Sequence, residues 1–191
     1  MPNHITNKIE FYGKQSNIDK VLELIKGEEE CIDFNKIVPM PDHIFRGNLG
    51  PEERKMYGTN NWYDWSIANW GTKWNAYSSY FYKDTNTMEF DTAWSCPVYV
   101  LAALAKMCHE YGVEFEGKWA DEDCGCNVGT FESCVCEDDD YWLNYDPVEN
   151  ESNEAYEIYV ELKGERECLG KDADGNWIHY DCDNCPNADK C

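Results

Sequence analysis

Residues 61–97 carry five of the chain's eight tryptophans: Trp62, Trp65, Trp70, Trp74 and Trp94. No other feature narrows the possible folds so far. Each aromatic side chain of this size buries roughly 150–250 Å², and a buried indole N–H needs a partner. Five indoles this close together are therefore either the main core of a polar protein or part of a recognition surface. Tyr63, Ile67, Trp70 and Trp74 have the i, i+4, i+7, i+11 spacing of one helix face, with Trp62 and Trp65 on a neighbouring flank. Gly71 is placed to end that helix, which leaves Trp74 on the exit loop.

The remaining pattern supplies a frame for this stretch. Ile5, Ile9 and Phe11 alternate with polar residues as a first strand closed by Gly13. A helix follows, capped at Ser16, with Ile18, Val21, Leu22 and Ile25 on one face and Gly27 at its end. Ile32, Phe34 and Lys36 to Val38 read as a second strand stopped by Pro39 and Pro41. Met88, Phe90, Thr92 and Trp94 alternate as a third, after a polar turn around Lys83 to Asn86. Ser95 and Pro97 open a second helix striped by Val100, Leu104, Met107 and Tyr111, and Val113, Phe115, Gly117 and Trp119 form a fourth strand.

This order predicts an α+β fold, the ferredoxin-like split βαβ arrangement: an antiparallel sheet with two helices on one face. The Trp-rich segment becomes an insertion between strands 2 and 3, at about residues 39–86. Its rings are expected to seal the sheet face that the two helices leave bare, with Trp62 and Trp65 the most exposed of them. Residues 1–164 then form the domain and 165–191 a Cys-bearing C-terminal extension. Residues 129–136 read as one further strand. Residues 154–163 fit a strand through Tyr156, Ile158, Val160 and Leu162, or a helix through Ala155, Ile158, Tyr159 and Leu162; local propensity favours the strand.

Charge limits the partners. Against 38 acidic residues stand 16 basic ones, a net charge of −22. Phosphate backbones are held by clustered Lys and Arg, so direct nucleic-acid binding is disfavoured and a protein partner is expected. The acidity serves solubility, or it marks an anti-defence or DNA-mimic protein that occupies a basic surface of a host factor. The N-terminal MPNHITNKIEFYG lacks the apolar region of a signal peptide, and no apolar run nears the ~20 residues that span a bilayer. A cytoplasmic protein without membrane association is the expectation, and its eleven Cys then read as thiols or metal ligands.

Several longer motifs carry a resemblance. They are Met1-Pro2-Asn3, the run Asp33 to Pro41, Trp62-Tyr63-Asp64-Trp65 continuing through Asn69 to Asn75, Phe90 to Ser95 with Pro97, and Trp119 to Asp123 leading to Gly125, Asn127 and Gly129. Together they resemble the YubB-like family of ferredoxin-like-fold proteins from plasmids, phages and bacterial genomes. The resemblance implies a fold, a genomic setting and a helix at 154–163. It implies no iron–sulfur cluster, because "ferredoxin-like" describes topology alone.

Three constellations could carry chemistry. In the tail, Cys182 and Cys185 form a C-x2-C knuckle that could wrap one Zn²⁺ with Cys191 and Cys168, His179 being an alternative fourth ligand. Cys124 and Cys126 could face Cys134 and Cys136 as paired C-x-C strands, although small packed thiols fit the same pattern. The motifs also share a polar and aromatic binding set: Trp62, Asp64, Trp65, Asn69, Lys73, Asp91, Trp94, Glu122, Asp123 and Asn127, with Asp121 beside them. An enzyme would use Asp64, Asp91 and Glu122 from that set as acid, base or metal ligand. Caps, ion pairs and partners for buried indoles account for the same residues without catalysis. No Ser-His-Asp order, phosphate loop or H-E-x-x-H pattern appears, so a non-catalytic role is expected; the resemblance implies its setting, an accessory protein of a mobile genetic element or its bacterial host.

Overall fold

The computed structural model describes residues 3–135 and 141–180. Along β1 (His4–Gly13) burial alternates: Ile5, Asn7, Ile9 and Phe11 are buried, and His4, Thr6, Lys8 and Glu10 between them are more open. Successive side chains of a strand point to opposite faces, so one face of this strand is core and the other is polar. Chain order continues with α1 (Gln15–Ile25), α2 (Phe34–Ile37), α3 (Pro51–Tyr57), α4 (Trp62–Trp70), β2 (Tyr77–Tyr82), β3 (Thr87–Ala93) and α5 (Val98–Glu110). Then come β4 (Val113–Ala120), β5 (Val128–Val135), β6 (Tyr141–Pro147), α6 (Asn153–Lys163) and a hairpin of β7 (Leu169–Lys171) and β8 (Trp177–His179).

Six strands pair antiparallel in the order β2-β3-β1-β4-β5-β6. The first four, with α1 and α5, are the split βαβ arrangement; β5 and β6 add a meander beyond β4. Ile18, Val21 and Ile25 of α1 and Val100, Leu101, Leu104 and Cys108 of α5 join Ile5, Ile9 and Phe11 in one core on one sheet face. Each such fully buried aliphatic side chain contributes about 1.5–3 kcal/mol relative to exposure.

Four expectations need correcting. Residues 32–38 are not the second strand. The Asp33 side chain accepts from the Asn35 N–H at 2.9 Å and so caps one helical turn, α2, which buries Phe34. The second strand is β2, formed from Tyr77 to Tyr82, and the turn at residues 83–86 is the β2–β3 hairpin. The insertion therefore lies between α1 and β2, and α4 belongs to it. Nor do the tryptophans seal the bare face: Trp70 packs edge-on against Phe34 at 5.7 Å within the main core, and α4 lies against α5 on the helical side. The first helix starts at Gln15, and the residue before it, Lys14, caps it without a side-chain bond.

The opposite face is covered in part by α6. Ser152 caps that helix by accepting from the Ala155 N–H, and Ala155, Tyr156, Ile158 and Tyr159 bury against Ala120 and Val128 as a second small core. Their i, i+1, i+3, i+4 spacing makes 154–163 helical. Leu169 and Trp177, one from each strand of the tail hairpin, pack onto the same cluster.

Candidate functional site

The polar motif residues meet at one end of the sheet, where β1 begins and β3 and β4 end. Asn3 donates from Nδ2 to Asp121 Oδ1 at 3.0 Å and to Asp123 Oδ2 at 2.8 Å. Asn127 donates to Asp121 Oδ2 at 2.9 Å and to the Trp94 carbonyl at 3.2 Å, while its own N–H meets Asn150 Oδ1. Asp121 is buried and accepts on both oxygens. Buried carboxylates persist only when bonded in this way. These residues are a latch between the start of β1 and the β4–β5 loop.

Above the latch stands Trp94, with φ +76. A bulky residue in the left-handed region is strained, and surrounding bonds must hold it there. The Trp94 N–H donates to the Asn3 carbonyl at 3.0 Å and its own carbonyl takes the Asn127 bond. The ring then lies 41% exposed, edge-on to Tyr63 at 6.2 Å. Lys73 is brought to it by the α4 exit loop, pinned by Ser66 Oγ to the Lys73 carbonyl at 2.7 Å and by Thr72 Oγ1 to the Ala93 carbonyl at 2.8 Å. The Lys73 ammonium sits 4.5 Å from the Trp94 ring centre, 4.7 Å from Trp74 and 5.9 Å from Tyr63.

Beside the latch on the open face lies a group that sequence patterns did not single out. Lys163, at the end of α6, donates to the His4 carbonyl at 3.0 Å. Burial lowers its pKa, and the charges of Asp91, Asp121 and Glu122 work against that shift. Tyr77 bonds His4 Nδ1 at 2.7 Å; burial, then Asp91 and Glu122, push its pKa up to about 12. Asp91 itself accepts from Thr6 at 2.8 Å. Tertiary contact alone assembles this group, and only Asp91 and Glu122 could be anticipated.

The other expected residues serve elsewhere. Asp64 and Asn61 exchange bonds at the start of α4, a reciprocal cap, so Asp64 does not join Asp91 and Glu122. Asn69 donates back to the Trp65 carbonyl at 2.8 Å, and Trp65 packs edge-on to Trp70 at 5.4 Å. Trp62 donates to the Gly47 carbonyl at 3.1 Å. Trp62 and Trp65 are half-buried, and the exposed rings of the stretch are Trp74 and Trp94. Cys124 and Cys126 lie in the β4–β5 loop and Cys134 near the far end of β5, so they do not form facing C-x-C strands. Cys136, Cys182, Cys185 and Cys191 fall outside the described residues. Among the described residues no three His, Cys, Asp or Glu side chains are placed to hold a metal ion, and no helix is long and apolar enough to cross a membrane.

The open face between α6 and β6 holds a groove of about 440 Å³. Lys8 and Lys118 lie directly opposite each other, and both pair with Glu161. One pleat along, Glu10 faces Glu116, which faces Glu132, which faces Asn144. Like charges directly across a sheet are destabilising. The single Tyr12 O–H lies between Glu116 Oε1 at 2.7 Å and Glu10 Oε2 at 3.1 Å, and Lys8 reaches Glu10 at 3.6 Å, which together ease one end of the row.

Fold and site together define an α+β protein with a ferredoxin-like domain and a latched, aromatic-bearing sheet end. Residues 69–162 match the family described as a ferredoxin-like domain in Api92-like protein. The match covers β2 to most of α6. Neither the curated proteins nor the solved structures gave a match.

Proposed function

We propose that this protein is a non-catalytic interaction module whose open sheet face receives a basic protein surface. The observation that carries the reading is the Glu10–Glu116–Glu132 row bordering the groove. Three glutamates set directly opposite one another cost stability, and a cationic partner would remove that cost on binding. Two lysines also line the groove; both pair with Glu161, and Lys8 also reaches Glu10 at 3.6 Å, which leaves Glu116 and Glu132, among the described residues, as the pair without a cation. The motif polar residues support the non-catalytic part, because Asp64, Asp91 and Asp121 are spent on separate structural bonds. Within this reading we place the chain with the YubB-like proteins of mobile elements, in a role such as occupying a nucleic-acid-binding surface of a host factor.

The test is titration of an arginine-rich peptide at low and moderate salt. Glu116→Lys/Glu132→Lys should weaken binding about tenfold or more. Glu28→Lys/Glu29→Lys, the same charge change on an exposed loop, should have a much smaller effect. Equal losses from the two pairs would reduce the effect to net charge and overturn the reading.

The tail supports a second reading, a zinc site. Pairing of Leu169 with His179 brings Cys168 and His179 to the same end of the β7–β8 hairpin. Cys168 also lies within electrostatic reach of Cys124. Zinc analysis of the purified protein should find metal that Cys182→Ser/Cys185→Ser loses; metal-free wild-type protein rules the site out.

A further inference from the structure

Among the described residues Lys73 makes no ion pair, and it is set apart from the chain's other cations by the number of rings around it. Its ammonium is surrounded instead by Trp94, Trp74 and Tyr63. Such a ring set attracts cations through the negative faces of the aromatic systems and is the arrangement that recognises alkylammonium and guanidinium groups. A second cation, Arg54, also lies over Tyr63, at 5.2 Å.

The fold keeps these rings at the surface at a cost. Trp94 holds φ +76 in the bend after β3, where a residue with a large side chain is strained, and Asn127, itself at φ +48, bonds its carbonyl. Trp74 and Trp94 are 36% and 41% exposed, so the rings are open to solvent and Lys73 covers them. Lys73 is also easily moved. Its side chain is a flexible four-carbon stem, and swinging it out breaks no carboxylate bond and strands no buried charge.

We propose that Tyr63, Trp74 and Trp94 form a receptor for one cationic side chain of the partner, with Lys73 its resident occupant in the free protein. The proposal rests on the basic partner argued above, whose arginine displaces Lys73 from the rings. Lys73 thereby acts as a built-in competitor: it shields exposed indoles until a better-matched planar guanidinium arrives.

The test uses the full-length protein and methylguanidinium chloride, with sodium chloride at equal ionic strength as control, read by the indole N–H resonances of Trp74 and Trp94. In Lys73→Ala, half-saturation should fall roughly fivefold or more below that of the wild type, because the competitor is gone. Adding Trp94→Ala should abolish the Trp74 response, and Trp94→Phe, which keeps a ring, should restore part of it. Thermal melts confirm that each variant is folded. The arginine-rich peptide should also bind Trp94→Ala at least about fivefold more weakly than wild type. Equal half-saturation in Lys73→Ala and wild type, a Trp74 response that survives Trp94→Ala, or unchanged peptide affinity would each overturn the receptor. Peptide binding that still depends on Glu116 and Glu132 would leave the groove reading standing in that event. Loss of that dependence, with the ring response intact, would remove the groove reading instead.

Discussion

At the scale of single residues, Trp119 shows how far packing depends on what stands opposite. The ring is fully buried, parallel to Tyr145 at 4.4 Å and to Phe131 at 6.3 Å. Gly129 lies directly across the sheet, and a Cβ there would run into the indole. Gly129→Ala should therefore destabilise by about 1–3 kcal/mol, as overpacked sites do. Trp119→Ala should cost more, about 3–5 kcal/mol, by leaving a cavity between two rings. Trp119→Phe should cost less than the alanine variant, since the indole Nε1 has no partner and its loss removes an unsatisfied donor. Urea unfolding of the three variants checks the order. The buried Asp121 behaves in the opposite way: it is saturated with bonds, so Asp121→Ala should cost about 2–3 kcal/mol through the donors it strands. Asp121 is as conspicuous in sequence as Asp64 or Glu122, and nothing in its local pattern distinguishes a latch from a catalytic group.

Among the elements, α6 best separates what sequence shows from what tertiary contact decides. Its residues alternate well enough to read as a strand, and only the surfaces of Ala120 and Val128 select the helix. The same holds for Ile32 to Val38, whose alternation matched a strand until Asp33 capped a turn there. Strands β1, β3 and β4 were legible because their apolar face meets a helix and their polar face does not. β2 was hidden because Tyr77 to Tyr82 buries no side chain fully, and the Lys163 group was hidden because its members come from distant segments; Tyr63, Lys73, Trp74 and Trp94 were conspicuous in sequence, and only their convergence was not. Once formed, α6 is tied to the sheet by Glu161. Burial opposes the charge on Glu161, but bonds from Lys118 and Lys8 outweigh it and lower the pKa below the usual 4.5. A carboxyl whose folded pKa is depressed contributes stability above its unfolded pKa and loses it as pH falls through the folded value. Lys8 shifts in the complementary direction: burial disfavours its charge, Glu161 more than compensates, and its pKa rises above 10.5. Its contribution is full below 10.5 and is lost above the raised value. At neutral pH, Glu161→Gln should cost less than about 1 kcal/mol, since the pairs are partly solvated. That difference from wild type should shrink as pH is lowered from 6 to 3 in urea melts; a difference that stays constant would mean the lysine pairs contribute nothing.

For the whole molecule, the open sheet face sets stability against binding. A net charge of −22 spread over 191 residues already opposes compaction, and the Glu10–Glu116–Glu132 row concentrates that repulsion at one place. If the row existed only for solubility, its glutamates would gain nothing from facing one another, since any exposed positions would serve. Glu132→Lys separates the two purposes. It replaces one like-charge pair with an opposite-charge pair directly across from Glu116, which should stabilise the protein by about 0.2–1 kcal/mol. The Asn144 bond to Glu132 is exposed, and water can replace it. Salt should reveal the same physics from the other side: moderate sodium chloride should raise the melting temperature of the wild type more than that of Glu132→Lys, because it screens a repulsion that the variant lacks. The stabilised variant should in turn bind the arginine-rich peptide more weakly. A more stable protein that binds as well as the wild type would show that the row is a tolerated burden of the fold with no part in recognition.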